Sequence, residues 1–293
     1  MTGLLSRRVP SWAVALAALA LAAIVAAATL ALRSAREGPG GPAEEARSSS
    51  SSPRKPMTVF RFVDPAEVRH RTRFMFSFDP PPALAELRSA ERLDSVVAGA
   101  ASDIDRFRRL TAWARAQFEP GIPDPYPPLD ARIILRDIRS GFTGGFCAQY
   151  NYVLAQSLMS LGYPARYVTV EHHEVIEGWL RDERRWVCLD PLHSATYVDE
   201  EGRALSVLEI VSRARAGRPP LPGPGSLPSA ATEAARAFTR FEVWIRNDHV
   251  SRPINFTDID RYKVSFRWEG EARGDGALAT SLPEDLYFDP ESP

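Results

Sequence analysis

Apolar side chains recur every three to four residues in several segments of this chain, which is the spacing of one face of a helix. Between Ser102 and Phe118 they form a continuous stripe, and Asp103 and Asp105 stand in the first turn, where acidic side chains favour a helix. Similar patterns predict further helices at Ala83–Ala100, Asp130–Ser140, Ser206–Ala216 and Ala230–Phe238. The prolines between Gly121 and Leu129 instead predict an extended or turning segment.

Another helix is predicted to begin at Cys147, directly after the Gly144-Gly145-Phe146 turn. Its apolar residues recur at helical spacing until Gly162, which is a typical helix cap, and Pro164 prevents continuation. A thiol in the first turn meets unpaired N–H groups and the positive end of the helix dipole, which favour the thiolate. We therefore expect Cys147 to be a reactive nucleophile. Tyr150, one turn further on, could line a cleft or fill the core.

Segments rich in β-branched and aromatic residues predict strands. The chain after the Cys147 helix predicts a hairpin, with one strand at Arg166–Leu180, a polar turn at Arg181–Arg184 and a returning strand at Arg185–Leu189. Shorter strands are predicted at Thr58–Val63, Thr72–Phe78, Phe241–Arg246 and Tyr262–Trp268.

Candidate partners for the thiol lie on this hairpin. Alternation along the first strand places His173 on one face with Val175, so we expect its imidazole to face the helix that carries Cys147. Asp190 ends the returning strand, where its carboxylate could accept the other ring N–H and fix the tautomer. His172 is the neighbouring alternative to His173.

Four motifs follow one another in this region: G-x-C opening a helix, then G-Y-P-A-R, H-x-x-x-E-x-W and W-V-x-L-D-P. From about Asp130 to Pro191 the chain thereby resembles the transglutaminase-like core of the papain-like thiol enzymes. The resemblance implies an α+β fold with helices packed on an antiparallel sheet. It implies Cys147 as nucleophile, His173 as base and Asp190 as orienting acid. The only oxyanion donor that the sequence indicates is the backbone N–H of Cys147.

Three other residues of these motifs are expected to be structural. Aromatic residues on hairpins usually pack against a neighbouring helix. This applies to Trp179 and Trp186, and Glu177 belongs to the same group.

The N-terminal segment predicts export. Trp12–Leu32 is a 21-residue stretch that is apolar except for Thr29, with arginines on both sides. It is long enough to cross a bilayer and longer than the apolar core of a cleavable signal. We expect residues 1–33 to form a short cytoplasmic stub and an uncleaved transmembrane signal anchor, with a cleaved signal peptide as the alternative. Both place the remaining chain on the extracytoplasmic side of the cell membrane.

The rest of the chain divides by composition. Residues 34–57 consist almost entirely of Gly, Pro, Ser, Ala and charged residues, which predicts a disordered tether. Residues 58–293 are long enough for one domain with a sizeable core, which we place at about 100–200. The acidic C-terminal tail is expected at the surface.

Charge and composition narrow the possible partners. The formal net charge of −1 does not indicate the basic surface that a nucleic-acid-binding protein needs. A content of 44% hydrophobic and 25% charged residues is ordinary for a globular protein. Only two of the 36 basic residues are lysines, which together with abundant Ala and Pro suggests a bacterial genome of high GC content.

The same side chains could have two other roles, in a disulfide or in a metal site. In an exported protein, Cys147 and Cys188 could form a disulfide, although this would consume the nucleophile. A metal site from His172, His173, Glu177 and His193 is conceivable, but its spacing fits no familiar zinc pattern, and we expect no metal or cofactor. His249 and Asn255 are either loop residues or overhang the cleft.

The sequence thus predicts an exported, thiol-dependent enzyme that transfers or hydrolyses the acyl group of a peptide or amide, with a peptide or protein as substrate. Hydrolysis by a peptidase or amidase is favoured over transamidation, because no dedicated amine site is evident. The alternative is a non-catalytic, membrane-anchored binding or scaffold module that retains the fold. Substrate-binding residues, substrate identity and oligomeric state are not indicated.

Overall fold

Helices form at the amphipathic segments identified above. The structure is a computed structural model that describes residues 74–271 and 278–292. Its α-helices, in chain order, are α1 (Ala85–Ala90), α2 (Leu93–Val96), α3 (Asp103–Arg115), α4 (Ala131–Arg139), α5 (Cys147–Ser160), α6 (Val207–Arg215) and α7 (Ser229–Ala237). Short 3₁₀ helices occupy Pro81–Leu84, Phe256–Tyr262 and Pro283–Asp285.

Strands form one large, mostly antiparallel sheet and one small one. They are β1 (Ser77–Phe78), β2 (Ala165–Val170), β3 (His173–Leu180), β4 (Arg185–Asp190), β5 (Ala195–Val198), β6 (Leu221–Pro222), β7 (Phe241–Trp244), β8 (Arg246–Asn247), β9 (Lys263–Phe266) and β10 (Leu278–Thr280). The eight-stranded sheet has the order β10-β9-β7-β2-β3-β4-β5-β6, and β1 pairs with β8 in a two-stranded parallel sheet. In the large sheet only the β10–β9 pair is parallel. The protein is therefore a mixed α+β fold, as predicted.

Two hydrophobic cores cover the two faces of the large sheet. On one face, side chains of α3, α4 and α5 pack with Ile176 of β3 and Leu189 of β4. On the other face, side chains of α6 and α7 pack with Val175 and Cys188. Because successive strand residues point to opposite faces, the central strands β2, β3, β4 and β7 each contribute to both cores.

Three of the predicted helices begin at a side chain that caps them. Ser102 accepts the Asp105 N–H at the start of α3, Asp130 accepts the Arg132 N–H at the start of α4, and Ser206 accepts the Glu209 N–H at the start of α6. Such caps satisfy N–H groups that have no partner within the helix. The predicted ends of these helices are confirmed to within a few residues.

The helix predicted at Ala83–Ala100 is wrong as a single element. A 3₁₀ turn and the short helices α1 and α2 replace it, and Arg92 between them has a φ of 50°, in the left-handed region. A residue in that conformation cannot continue a right-handed helix, so the chain changes direction there.

The single strand predicted at Arg166–Leu180 is also wrong. The chain turns at Glu171–His172, and β2 and β3 pair with each other, Val170 opposite His173. A strand of 15 residues would span about 50 Å at 3.3 Å per residue, more than a core of this size can bury on both sides. Folding the segment into a hairpin keeps all of it within the sheet.

Other strand boundaries differ in detail. Of the predicted strand Thr72–Phe78, only Ser77–Phe78 is a strand within the described residues, and Phe241–Arg246 is divided between β7 and β8. The strands β5, β6 and β10 were not predicted. Each is at most four residues long, too short for alternation to be visible.

The C-terminal tail does not lie simply on the surface. Leu286 is fully buried, its carbonyl accepts a hydrogen bond from Arg166, and the Phe288 carbonyl accepts the Trp186 indole N–H at 2.9 Å. Buried polar groups on the sheet need these backbone acceptors, and composition alone does not reveal that need.

The predicted transmembrane segment at residues 12–32, the tether at 34–57 and the strand at 58–63 lie outside the described residues. Within residues 74–271 and 278–292, none of the helices is both long enough and apolar enough to span a bilayer.

Candidate active site

Cys147 is the first residue of α5, and a tight backbone contact shapes the turn that leads to it. Gly144 donates its N–H to the Ile122 carbonyl at 3.1 Å, and Gly121 donates to the Gly145 carbonyl at 2.8 Å. A Cβ at Gly144 would lie 2.3 Å from the Ile122 oxygen, and one at Gly145 would lie 2.5 Å from a methyl carbon of Ile138. The two glycines are therefore required by close approach, not by the helix itself.

His173 and Asp190 form a buried pair. The Nε2 atom of His173 lies 3.0 Å from the Asp190 Oδ2 atom, and both side chains are almost inaccessible to solvent. His173 also interacts with the Cys147 side chain, and because Nε2 is engaged by Asp190, Nδ1 is the atom left for the thiol. The structure therefore brings together the three residues that the sequence indicated as candidates, Cys147, His173 and Asp190.

The charge of His173 results from opposing effects. Burial lowers the pKa of the ring, but the Asp190 carboxylate and the Cys147 side chain outweigh it and raise the pKa to about 10. Burial likewise raises the pKa of Asp190, and the positive His173 beside it lowers that pKa below its usual value. At neutral pH the ring is an imidazolium and Asp190 is a carboxylate.

The predicted orientation of His173, from strand alternation toward the α5 helix, is wrong in part. Alternation does place it with Val175, but that face packs on the second core, whereas the body of α5 packs on the face of Ile176. His173 meets Cys147 at the ends of the two elements, because each is the first residue of its element.

Asp190 is held in place by further donors. Tyr197 on β5 donates its hydroxyl to Asp190 Oδ2 at 2.9 Å, and the backbone N–H of His193 donates to Oδ1 at 3.3 Å. The His193 ring lies edge-on to the His173 ring at 5.5 Å, and its Nδ1 atom lies 2.8 Å from the Ser229 hydroxyl. These contacts orient the carboxylate that orients the imidazole.

Oxyanion stabilisation can come from the start of α5. Cys147 is the first residue of the helix, so its N–H has no partner within the helix, and no side chain caps this end. Nearby, the Gln149 amide accepts the Phe146 N–H through Oε1 at 2.9 Å, and its Nε2 atom is buried without a partner in the described part of the chain. The Tyr126 hydroxyl lies beside this amide. Burial and the negative charge of Glu174 raise the pKa of Tyr126 well above its usual value.

The two cysteines are free thiols and do not form the disulfide considered above. Cys188 is fully buried in the second core, and burial raises the pKa of its thiol well above the usual range. Cys147 is partly exposed. The reactive environment therefore belongs to Cys147 alone of the two.

The metal-ligand set considered from sequence is not assembled. His172 is exposed beside Glu171, and Glu177 is buried against Arg166. A different group, His173, Asp190 and His193, offers ligand atoms within 4.8 Å of one another, so a divalent ion could be held there. Asp190 already accepts hydrogen bonds from His173, Tyr197 and the His193 N–H, and a metal ion at this point would compete with the His173 bond.

The remaining candidates have structural positions. Glu177 pairs with Arg166, Trp179 and Trp186 pack on each other, and Tyr150 is buried with its ring stacked on Phe118 at 4.1 Å. These positions agree with a structural role for Glu177, Trp179 and Trp186, and the two tryptophans contact each other at 5.5 Å between ring centroids.

The two loop candidates differ. Asn255 is an exposed loop residue. His249 is buried among the rings of Tyr152, Tyr167 and Trp244, and burial lowers its pKa to about 4. It therefore does not overhang a cleft.

Sequence analysis missed several residues around Cys147, His173 and Asp190: Tyr126, Gln149, Glu174, Tyr197 and Ser229. A hairpin prediction for residues 190–198 would have placed Tyr197 beside Asp190, since Asp190 pairs with Ala195. Gln149 and Glu174 lie next to Cys147 and His173 in the sequence, whereas Tyr126 and Ser229 come from distant segments that only the folded structure brings together.

Comparisons with known proteins add no name to this arrangement. No protein-family model matches the chain, and no curated protein matches it.

Proposed function

We propose that this protein is a thiol-dependent acyl-transfer enzyme with a transglutaminase-like core, and that it hydrolyses a peptide or amide bond. The observation that carries the proposal is the arrangement of Cys147, His173 and Asp190. The imidazole lies between the thiol and the carboxylate, and its Nε2 atom is 3.0 Å from Asp190 Oδ2. Three residues from α5, β3 and β4 converge on one point, and two of them are buried charged groups.

Each group has a defined task in the proposed reaction. The Cys147 thiolate attacks the carbonyl carbon, and the negative charge on the carbonyl oxygen is met by the Cys147 N–H. The His173 imidazolium gives its proton to the leaving amine as the C–N bond breaks, which leaves a thioester and a neutral ring. Water then attacks the thioester while His173 takes a proton from it, and the acid and the thiolate are released.

An amine in place of water would make the reaction a transamidation. Hydrolysis is proposed because no described residue forms a site dedicated to an amine acceptor. The proposed location is the extracytoplasmic side of the cell membrane, on the basis of Trp12–Leu32. A C-terminal reporter that works only in the cytoplasm should be inactive, and an active reporter would exclude this location.

The test of the chemistry is alkylation of the two cysteines by iodoacetamide at pH 7, followed by mass spectrometry of each peptide. Cys147 should react and Cys188 should not. His173→Ala should slow the reaction at Cys147 by tenfold or more, because the imidazolium that stabilises the thiolate is lost. His172→Ala is the matched control, since its ring is exposed and pairs only with Glu171 at 3.7 Å. Equal effects of the two variants would contradict the proposal.

A further inference from the structure

Exposed apolar side chains are concentrated around Cys147. Nine large hydrophobic residues are exposed in the described part of the chain, and five of them lie on the segments that surround this thiol. We call these five the apolar rim: Ile122, Tyr126, Phe142, Phe146 and Phe256. Apolar side chains scattered singly are normal on a protein surface, but a contiguous group of this kind marks a binding site.

Hydrogen bonds connect the members of the apolar rim to the Cys147 turn. Phe146 precedes the thiol, and Phe142 begins the same turn. The Ile122 carbonyl accepts the Gly144 N–H, and the Thr143 hydroxyl donates to the carbonyl next to Tyr126, that of Pro125, at 2.7 Å.

The last member joins through a ring contact. Phe256, from the segment between β8 and β9, packs against the Tyr126 ring with centroids 4.4 Å apart. Three separate segments therefore bring exposed apolar side chains beside the nucleophile, and backbone, hydroxyl and ring contacts hold these segments together.

The ionisable groups on these segments are acidic where they are closest to the thiol. Asp124 is exposed on the loop of Ile122 and Tyr126. Glu174 follows His173, and its carboxyl group makes no hydrogen bond or ion pair with the residues that the structure describes. The two cations that act on it are already paired, Lys263 with Asp260 at 2.9 Å and His173 with Asp190 at 3.0 Å. An anionic group bound here would therefore find carboxyl groups on these segments and no unpaired cation beside Glu174.

We propose that the apolar rim binds an apolar, preferably aromatic, side chain of the acyl donor, and that it disfavours donors that are anionic at this position. The inference rests on the proposed function, because the carbonyl must approach Cys147 to about 3–3.5 Å for attack. Groups that flank the carbonyl then lie over the residues around the thiol. Binding sites lined mainly by apolar and aromatic side chains, with a few polar groups, select ligands of matching polarity.

Three alkylating reagents test the proposal on the full-length protein: iodoacetamide, N-benzyl iodoacetamide and N-(4-carboxybenzyl) iodoacetamide. In each reaction the thiolate forms an S–C bond and iodide leaves, so the chemistry is constant and only the flanking group changes. The rate at Cys147 is measured by mass spectrometry and divided by the rate of the same reagent with glutathione. The corrected rate for the benzyl reagent should exceed that for iodoacetamide about tenfold, the scale expected for partial burial of a phenyl ring. The carboxybenzyl reagent should lose this advantage.

Variants separate the rim from general effects on the thiol. Phe256→Ala and Ile122→Ser, both at exposed positions, should each reduce the benzyl-to-parent ratio several-fold. Leu282→Ala is the matched control, since Leu282 is an exposed apolar residue outside the rim, and the ratio should not change.

The outcomes distinguish this inference from the proposed function. A ratio near one with normal iodoacetamide labelling would overturn the inference and leave the thiol chemistry standing. Preference for the carboxybenzyl reagent, or an equal loss of the ratio in Leu282→Ala, would also overturn it. No labelling of Cys147 by any reagent would instead contradict the proposed function.

Discussion

His173 lies between two groups that can carry negative charge, and this position determines its protonation. A buried imidazole alone would be neutral, as His249 illustrates, because burial lowers its pKa to about 4. At His173 the same effect is outweighed by Asp190 and Cys147, and the pKa rises to about 10. At neutral pH the buried His173 is therefore positively charged and the buried His249 is neutral, because the groups beside the two rings differ.

The raised pKa of His173 has a defined effect on stability. The ordinary value is 6.5 and the folded-state value is about 10, so the folded protein binds this proton more tightly than the unfolded chain. The resulting stabilisation is complete below about pH 6.5 and is lost as the pH rises through about 10.

Asp190→Asn should change the pH dependence of alkylation at Cys147. In the wild type the His173 imidazolium beside Cys147 persists to about pH 10, so its support for the thiolate should be present from neutral pH up to that value. The variant loses the carboxylate, burial then lowers the pKa of His173, and the rate at pH 7 should fall tenfold or more. It should recover as the pH rises above ~8.5.

A pH series of iodoacetamide labelling at Cys147 measures this effect, with thermal unfolding as the check on folding. Asp94→Asn, at an exposed site, should leave the profile unchanged. A wild-type profile with a single step near ~8.5 would show that the thiol behaves as an isolated cysteine and would count against the triad.

At the scale of single residues, the sequence identified the residues of the proposed triad better than their surroundings. Cys147, His173 and Asp190 stood out because motifs and helix or strand ends position them. Tyr197 and Tyr126 did not, because each reaches the site through a neighbouring strand or loop. Their role depends on contacts that no local pattern encodes.

The turn before α5 shows how one element depends on another. Gly144 and Gly145 appear in the sequence as a flexible entry to a helix. In the structure they allow the loop around Gly121 and Ile122 to approach the backbone of the Cys147 turn, with two hydrogen bonds at 2.8 and 3.1 Å. This contact also places the Ile122 and Tyr126 part of the apolar rim.

Gly144→Ala should displace the 121–126 loop, because the added Cβ would lie 2.3 Å from the Ile122 carbonyl oxygen, a backbone atom that cannot move alone. We expect a lower unfolding temperature and a slower reaction at Cys147. Gly121→Ala is the matched control, since its Cβ would meet the nearest atom at an ordinary 3.5 Å. Thermal unfolding and labelling of both variants measure the effect, and equal behaviour of the two would show that the close approach does not shape the turn.

The errors in element boundaries have a common origin. Propensity extended the strand from Arg166 to Leu180 and the helix from Ala83 to Ala100, since nothing in the residue types interrupts either pattern. The breaks at Glu171–His172 and at Arg92 arise where the chain must turn to stay in contact with the core. Local preference is a weak guide wherever packing decides the turn.

At the scale of the molecule, one buried ion pair connects four parts of the fold. Arg166 of β2 and Glu177 of β3 are fully buried and pair at 2.6 Å. Glu177 also accepts the backbone N–H of Val207 at the start of α6 at 2.7 Å, and Arg166 donates to the carbonyl of Leu286 in the C-terminal segment. The Arg166 guanidinium lies 4.1 Å above the Trp186 ring.

Glu177→Gln should destabilise the protein by about 3–5 kcal/mol, because it leaves the Arg166 charge buried without its partner. Urea unfolding measures the free energy of unfolding. Asp94→Asn, which breaks the exposed pair with Arg88, should change it much less because that pair is solvated. A small effect of Glu177→Gln would mean that the pair contributes little beyond its hydrogen bonds.

The sequence by itself determined the fold class, most helix boundaries and the three residues of the proposed triad. These depend on periodicity, capping and strand ends, which act over a few neighbouring residues and are visible in one dimension. Tertiary structure alone decided that Arg166 and Glu177 form a buried pair, that the C-terminal segment covers them, that His173 reaches Cys147 at the ends of two elements, and that five apolar residues form a rim. These contacts join residues from distant segments. Their energies come from burial and close approach, which exist only once the chain has folded.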